Sequence, residues 1–423
     1  MEKQIMDGRQ KLKETLEHRD CGKVTFDLGG TKATGISASL LYRLRKQYGR
    51  DEPVKIYDTY QMVGLVDDKD AEMFGIDVLP LWSDMTVFGY RNDKWKTWTT
   101  PDGTPALIGE GCVMSEKGGR LYIHPKGDLN ARPSGCMPQG GFYFDYLTRQ
   151  DAFDEERLSG YEDYLEQLEV MTIDDTTLKF YEDQADYYYS HTGCGLVLNA
   201  EYGNLGSQTM LNGGYAKLTP GIRDFSEFLV AHSLYPKYIE EIFEAWTKLC
   251  IRNLKLLRQA VGDKAQAVFL CGTDFGTQHS EIMSKKMFQK LYMPYFKRIN
   301  GWVHENTSWK TVYHSCGSLV NILEDMIDCG IDCLNPIQLS ADHMDPQSLK
   351  AQYGRRLTFW GGGVDSQTTM AHGTPEDVER EMRKNIDILR KDGGFVFSVV
   401  HNLQNNFAME NVQRVFDVLR EYR

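Results

Sequence analysis

The chain has 423 residues, of which 41% are hydrophobic and 26% are charged, so its composition is that of a folded globular protein. The 48 Lys and Arg against 60 Asp and Glu give a formal net charge of −12, and no dense basic run could neutralise a row of phosphates, which argues against a nucleic-acid partner. No apolar run approaches the roughly 20 residues that span a bilayer, and the charged N-terminal segment lacks the apolar core of a signal peptide, so we expect a cytoplasmic protein without membrane contact.

The N-terminal half opens with a charged segment typical of a helix, and a strand is predicted next at Val24–Leu28. Further along, short runs rich in Trp, Thr, Val and Tyr predict antiparallel hairpins, which we place as a β-hairpin insertion over residues 94–126. The acidic and aromatic region 151–189 has helical spacing and predicts a helix with a solvated face. The turn signals of the insertion are Pro101-Asp102-Gly103 and Gly118-Gly119.

From Gly193 onward, apolar β-rich runs alternate with amphipathic helices, which is typical of βα units around a parallel sheet. One of these helices is predicted by Thr374 as N-cap, Pro375 in the first turn and a stripe of apolar residues. No linker rich in Pro, Gly or Ser separates the halves, so we expect one domain over 1–423, an α/β fold with a (β/α)8 TIM barrel. The predicted strands are Gly195–Asn199, Ala267–Thr273, Thr311–His314, Ile331–Pro336, Leu357–Gly361 and Phe395–Val400.

Polar side chains follow most of these predicted strands. In (β/α)8 barrels the chemistry lies where the strands end and the loops to the helices begin, so these side chains are the first candidates for a functional site. They are Asp27, Asp84, Asp274, Gln278, His314, Cys316, Asn335, Gln338, Asp365, Gln367, His401, Asn402 and Gln404.

His314 and Cys316 form a His-x-Cys pair at one strand end. Side chains two apart on a strand point to the same side, as two ligands of one metal ion must. The nine cysteines, an odd number scattered along the chain, suit reduced thiols better than disulfides. Zinc prefers imidazole nitrogen and thiolate sulfur, and a catalytic zinc usually has three protein ligands, so we predict zinc here. The third ligand must come from another strand end: His401 is the first candidate and Asp274 the alternative.

The C-terminal half also carries an ordered series of motifs that resembles the uroporphyrinogen decarboxylase superfamily, most closely its cobalamin-dependent methyltransferases. The resemblance covers 267–423 well and the N-terminal half loosely, and it implies the same (β/α)8 barrel. The motifs are His314-Ser315-Cys316-Gly317, Gly330-Ile331-Asp332-Cys333-Leu334-Asn335-Pro336-Ile337-Gln338, Phe359-Trp360-Gly361-Gly362-Gly363-Val364-Asp365-Ser366-Gln367 and Val400-His401-Asn402-Leu403-Gln404.

Two activities divide this superfamily. The decarboxylases carry an arginine-rich stretch near the first strand and a catalytic aspartate. Here the first strand ends without an arginine cluster, which argues against a decarboxylase. Asp84, however, lies in a segment that resembles the one that carries the catalytic aspartate of the decarboxylases. A tetrapyrrole decarboxylase is therefore the alternative to a methyltransferase. The methyltransferases carry the His-x-Cys pair and a later cysteine as zinc ligands. No cysteine follows Cys333, and His401 stands near the expected position, which points towards ether or amine donors.

The resemblance implies a zinc-dependent methyltransferase that takes a methyl group from a small methoxylated or methylamine-type donor. Zinc would activate the leaving oxygen, and the acceptor would be a corrinoid on a separate carrier protein docked at the barrel mouth, since the chain has no Asp-x-His-x-x-Gly corrinoid motif. A homodimer is compatible with this reading, and a barrel that binds a tetrapyrrole or corrinoid without turnover is a third alternative. The implied orienting residues are Asp274, Asn335, Gln338 and Gln367, and the implied cofactor contacts are Gly361, Gly362 and Asp365.

Overall fold

The computed structural model of the protein describes residues 6–150, 168 and 171–423. The region 151–189 that was predicted to be helical therefore lies partly outside the described residues. In chain order, the described strands are β1 (Thr25–Phe26), β2 (Val54–Asp58), β3 (Val63–Gly64), β4 (Val78–Leu81), β5 (Trp95–Thr99), β6 (Pro105–Gly109), β7 (Met114–Lys117), β8 (Arg120–Ile123), β9 (Gly135–Met137), β10 (Asp145–Tyr146), β11 (Gly195–Asn199), β12 (Ala267–Cys271), β13 (Lys310–His314), β14 (Cys333–Asn335), β15 (Thr358–Trp360) and β16 (Phe395–Phe397).

The α-helices of the same residues surround these strands. They are α1 (Gly8–Leu16), α2 (Ala38–Gln47), α3 (Asp68–Phe74), α4 (Asp175–His191), α5 (Gln208–Asn212), α6 (Phe225–Leu234), α7 (Pro236–Val261), α8 (Lys285–Leu291), α9 (Met293–Asn306), α10 (Leu323–Asp328), α11 (Pro346–Tyr353), α12 (Thr369–His372), α13 (Pro375–Leu389) and α14 (Met409–Glu421). Among them, no helix is long and apolar enough to cross a membrane.

Eight strands form one parallel sheet in the order β1, β16, β15, β14, β13, β12, β11, β4. The two outer strands meet where the backbone N–H of Asp77, just before β4, donates to the carbonyl oxygen of Phe26 in β1, at 2.9 Å. The sheet is thus a nearly closed barrel, and the predicted TIM-barrel fold is confirmed. The barrel strand β4 was not predicted, because its four-residue run contains Pro80, which is atypical of a strand paired on both sides.

The barrel interior is filled by apolar side chains that alternate along the strands, among them Val197, Phe269, Val312 and Trp360. Helix α1 lies across the amino-terminal ends of the strands, where it contacts β1, β4, β11 and β16. Its Leu12 is fully buried and belongs to the interior cluster. The carboxyl ends of the strands, at the opposite end of the barrel, remain available for a site.

Two small sheets lie outside the barrel. One has the order β3, β2, β6, β5, and the other is an antiparallel sheet in the order β10, β9, β8, β7. The segment 94–126 contains the hairpins β5–β6 and β7–β8, which belong to different sheets. The two small sheets therefore also contain strands from outside residues 94–126. These are β2 and β3, which precede that segment, and β9 and β10, which follow it.

Helix α13 begins as its sequence predicts. The Thr374 hydroxyl accepts from the backbone N–H of Asp377, whose carboxylate accepts in return from the Thr374 backbone N–H. This capping box satisfies donors that a helix start leaves unpaired. The buried face of the helix is the predicted apolar stripe, which consists of Val378, Met382, Ile386 and Leu389.

Candidate active site

Three side chains converge at the carboxyl ends of β12 and β13. The ligand atoms of Asp274, His314 and Cys316 all lie within 4.8 Å of one another. The Cys316 Sγ lies 3.4 Å from His314 Nε2, and Asp274 Oδ1 lies 3.7 Å from the same nitrogen. The backbone N–H of Cys316 donates to Asp274 Oδ1 at 2.7 Å, which ties the two loops together. Nitrogen, sulfur and oxygen donors thus face one point, as metal binding requires.

The ring of His314 is held in one orientation by Asn335 on the neighbouring strand. The His314 Nδ1–H donates to Asn335 Oδ1 at 2.7 Å, and the Asn335 amide donates in turn to the carbonyl oxygen of Trp360 at 2.8 Å. Because Nδ1 carries the proton, the lone pair of Nε2 points at the cluster, and an outer hydrogen bond of this kind is usual for metal-binding histidines. Gly361 permits this packing, since a Cβ there would lie 2.9 Å from Ser398 Oγ.

Cys316 is a thiol in the absence of a positive charge beside it. Burial, reinforced by the carboxylate of Asp274, raises the pKa of this thiol well above its ordinary value. A cation between the three side chains would reverse that effect, because a metal ion deprotonates a coordinating thiol.

The two loops that carry the cluster approach closely because each contains a glycine. Gly317 has a φ of 91°, and a Cβ on it would lie 2.6 Å from the carbonyl oxygen of Thr277. A Cβ on Gly276 would lie 2.7 Å from the carbonyl oxygen of Cys316. Both distances are shorter than any real contact of a Cβ, so larger residues would push Asp274 and Cys316 apart.

A chain of glutamines supports these loops from the side. Gln338 accepts a hydrogen bond from the backbone N–H of Gly317 at 2.8 Å and donates to Gln278 at 2.6 Å. Gln278 donates to Gln367 at 2.8 Å. Gln338 thus positions the Cys316 loop. The exposed Gln367 is the last member of this row of hydrogen-bonded glutamines.

His401 lies beside the cluster without joining it. Its ring is 5.4 Å from that of His314, centroid to centroid, and its Nδ1 accepts from the backbone N–H of Asn402 at 2.8 Å. Burial, with a smaller effect of His314, lowers the pKa of His401 to about 3, so the ring is neutral and its proton lies on Nε2. With neither nitrogen free, this geometry favours Asp274, the second candidate, as the third ligand.

The remaining predicted residues have other surroundings. The carboxylate of Asp84 forms an ion pair with Arg91 and accepts from the Thr177 hydroxyl at 2.7 Å. Asp365 Oδ1 accepts from the backbone N–H of Thr368 at 2.7 Å and shapes its own loop. Gly362 is buried, and a Cβ there would lie 2.8 Å from the carbonyl oxygen of Ile337. Gly361, Gly362 and Asp365 therefore have evident structural roles, and their contact with a cofactor stays a prediction.

A cavity of about 350 Å³, called here the metal cavity, opens at the barrel mouth and is lined by Asp274, His314 and His401. Its wall also carries Lys32, whose Nζ lies 3.1 Å from Glu201 and 3.9 Å from Asp58. Burial opposes a charge on Lys32, but the two carboxylates outweigh it and raise its pKa. Lys32, Asp58 and Glu201 were not among the predicted site residues, although Lys32 and Glu201 each follow a barrel strand.

The fold and the site define a (β/α)8 barrel with a candidate metal cluster at the carboxyl ends of its strands. Residues 215–422 match the model of the uroporphyrinogen decarboxylase (URO-D) family. The matched region, just under half of the chain, is therefore a uroporphyrinogen decarboxylase family domain, and it contains β12 to β16 with the whole cluster.

Two similar proteins come from Methanosarcina mazei. The methylcobamide:CoM methyltransferase MtbA is 24% identical over 147 residues, which are 35% of this chain and 40% of that protein. The matched region thus spans well under half of the curated relative. A solved structure of a methyltransferase covers 99% of both chains with a TM-score of 0.55 and 14% identity, a likeness that concerns the fold alone.

Proposed function

We propose that the chain is a zinc-dependent methyltransferase that moves a methyl group from a small methylated donor to a corrinoid carried by a partner protein. The observation that carries the proposal is the convergence of Asp274, His314 and Cys316 at the mouth of a cavity, with His314 Nε2 directed at the other two side chains. The relative MtbA is by name a methylcobamide:CoM methyltransferase, which supports a methyl transfer that involves a corrinoid.

The cluster suits zinc. Zinc binds imidazole nitrogen, thiolate sulfur and carboxylate oxygen, and catalytic sites keep three protein ligands and one open position. Asp274, His314 and Cys316 supply one donor of each kind, and Asn335 supplies the usual second hydrogen bond to the histidine. When bound, zinc would act as a Lewis acid on the leaving oxygen or nitrogen of the donor.

Lys32 supplies a proton in the proposed reaction. When the methyl group leaves for the corrinoid, the bond between methyl carbon and oxygen breaks and its electron pair stays on the oxygen, which must then take up a proton. Lys32 lines the same cavity as His314 and is kept protonated by Glu201 and Asp58. We therefore assign Lys32 as the general acid for an ether donor.

The tetrapyrrole decarboxylase alternative is less well supported. Its proposed catalytic residue, Asp84, does not line the metal cavity, and both its carboxylate oxygens are engaged by Arg91 and Thr177. The metal cavity has three carboxylates, from Asp58, Glu201 and Asp274, against the single ammonium of Lys32. Such a wall would repel a substrate with many carboxylates.

We expect the zinc-loaded protein to demethylate a methoxylated donor only when a corrinoid protein and a reductant are present. The product is methylcobalamin, followed by its absorbance change, and omission of either component should abolish it. Uroporphyrinogen with the protein alone is the control for the alternative. Rapid release of carbon dioxide would overturn the proposal, and corrinoid binding without methyl transfer from any donor would indicate a binding protein instead.

We expect Gly317→Ala to lower the affinity for zinc by at least about tenfold, because its methyl group separates the loops of Asp274 and Cys316. Competition with a zinc-binding dye measures the affinity. Gly103→Ala is the matched control: Gly103 also has a positive φ, of 85°, but its Cβ would meet nothing within 4 Å. Equal zinc affinity in both variants would contradict the loop contact.

A further inference from the structure

A second cavity, called here the sheet cavity, lies between the two small sheets and has a volume of about 600 Å³. Its lining includes Trp98, Asp102, Glu116, Leu121, Met137 and Phe142. Cavities of this volume are typical of sites for small molecules. The sheet cavity shares no lining residue with the metal cavity, so a molecule bound in it would lie apart from the metal cluster.

The register of the antiparallel sheet places one acidic and two apolar residues side by side on a wall of the sheet cavity. Glu116 of β7 pairs with Leu121 of β8, which pairs in turn with Met137 of β9. Lys117 pairs with Arg120 one position further along the same two strands. Because successive side chains of a strand point to opposite faces, these two basic side chains lie on the face away from Glu116. The wall therefore presents a carboxylate to the cavity without its neighbouring cations.

Two aromatic residues, Trp98 of β5 and Phe142, also line the sheet cavity. Trp95 lies three residues before Trp98, so it lies on the other face of β5, where its ring contacts that of Trp82. The face of an aromatic ring attracts cations, and the indole of tryptophan attracts them most strongly. Aromatic and acidic side chains in one cavity thus favour a positively charged ligand.

Asp102 adds a second negative charge to the lining. Its carboxylate accepts hydrogen bonds from the Thr100 hydroxyl, from the Ser39 hydroxyl at 3.1 Å and from the Asn405 amide at 2.9 Å. Partial burial opposes the charge, but these hydrogen bonds outweigh that effect and lower the pKa of Asp102 to about 2. Neither Asp102 nor Glu116 has an ion-pair partner in the part of the chain that the structure describes.

Basic side chains are absent from the lining among the described residues. Arg43 contacts Asn405 at the rim, where it donates to the carbonyl oxygen at 2.5 Å and to Oδ1 at 3.2 Å, but it does not line the cavity. The charge of the lining is therefore negative, and an anionic ligand would be repelled.

We propose that the sheet cavity binds a small organic cation with a quaternary ammonium group. Trp98 and Phe142 contact its methyl groups, and Glu116 and Asp102 supply the opposite charge. A quaternary ammonium ion has no hydrogen to donate, which suits a cavity where the Asp102 carboxylate is already engaged by hydrogen bonds. The site goes beyond the proposed methyl transfer, because its occupant lies apart from the metal cluster.

Calorimetric titration of the full chain with choline tests the proposal. The control ligand is the uncharged analogue of choline in which carbon replaces the nitrogen, and benzyltrimethylammonium is a second, larger probe. Choline should bind, and the uncharged analogue should bind at least about tenfold more weakly, because it has the same shape without the charge. Absence of binding by both ammonium ions, or equal binding of choline and its analogue, would overturn the proposal.

Two substitutions show whether choline binds in the sheet cavity. Trp98→Leu should weaken binding by at least about tenfold and Glu116→Gln by about fivefold, while Trp98→Phe, which keeps an aromatic ring, should stay within about threefold of the wild type. Trp95→Leu and Glu110→Gln are the matched controls, since they remove the same groups from the same layer but line neither cavity. Both controls should bind choline as the wild type does.

The outcomes separate this proposal from the proposed function. Cys316→Ala should bind choline as the wild type does, because the metal cluster and the sheet cavity have no residue in common. Glu116 is exposed, so Glu116→Gln keeps the test decisive if Trp98→Leu fails to fold. Choline binding that Glu116→Gln leaves unchanged would come from another site, such as the metal cavity, and would overturn the sheet-cavity proposal.

Discussion

Cys316→Ala should purify with less than about a tenth of an equivalent of zinc and should transfer methyl groups at least about a thousandfold more slowly than the wild type. The substitution removes the sulfur ligand, and the two remaining side chains, His314 and Asp274, cannot complete a three-ligand site. Elemental analysis measures the metal, and single-turnover formation of methylcobalamin measures the chemistry.

Cys21→Ala is the control for this experiment, because it removes a thiol from a partly exposed position far from the cluster. It should keep about one zinc per chain and full activity. His314→Ala should behave like Cys316→Ala, while His401→Ala should retain zinc if Asp274 is the third ligand. Equal zinc content in the wild type and Cys316→Ala would refute the metal assignment.

Asp27→Ala should lower the free energy of unfolding by about 2 kcal/mol at pH 7.5 and by about 4 kcal/mol at pH 4.5. Asp27 is fully buried, and its carboxylate accepts from Trp360 Nε1 and from the backbone N–H of Gly30, each at 2.7 Å. The alanine variant leaves both buried donors without a partner.

The pH dependence follows from the titration of Asp27. Burial, opposed by the hydrogen bonds to the carboxylate, raises its pKa to about 6 in the folded chain, against roughly 3.9 in an unfolded chain. Between these values the folded chain holds a proton that the unfolded chain has lost, so the stability due to Asp27 falls as the pH rises. The difference between pH 4.5 and 7.5 is about 2 kcal/mol.

Urea denaturation of the wild type and Asp27→Ala at both pH values tests this expectation. Asp51→Ala is a suitable control, because Asp51 is exposed and its loss should change stability little at either pH. The prediction fails if the destabilisation by Asp27→Ala is larger at pH 7.5 than at pH 4.5.

Much of the barrel could be predicted because its strands are short apolar runs between helices with clear caps. Gly195–Asn199 was predicted with the observed bounds, and α13 follows its capping signals. β15 and β16 end one and three residues before their predicted ends, because the pairing stops where the chain turns into the loops of the site. β4 was missed because the signal of a strand is weak in four residues with a proline.

The site was predictable only where its residues are close in the chain. His314 and Cys316 are two residues apart, so strand geometry alone puts them on one side. The choice between His401 and Asp274 depended on backbone detail: His401 has a φ of 68°, and its Nδ1 faces the next amide in the chain. No local sequence pattern reveals that backbone conformation. The contacts of Lys32 with Glu201 and Asp58 join residues that are distant in the chain, so they could not be predicted from local patterns either.

Helix α1 has a consequence for how the chain reaches its final state. The helix precedes every barrel strand, yet the surface it covers is built from β1, β4, β11 and β16, the last of which ends at Phe397. During synthesis, β1, β4 and β11 are complete by Asn199, so most of the surface under α1 can form early, whereas the contact with β16 needs almost the whole chain. A chain that stops before Phe395 would therefore leave part of the apolar face around Leu12 uncovered.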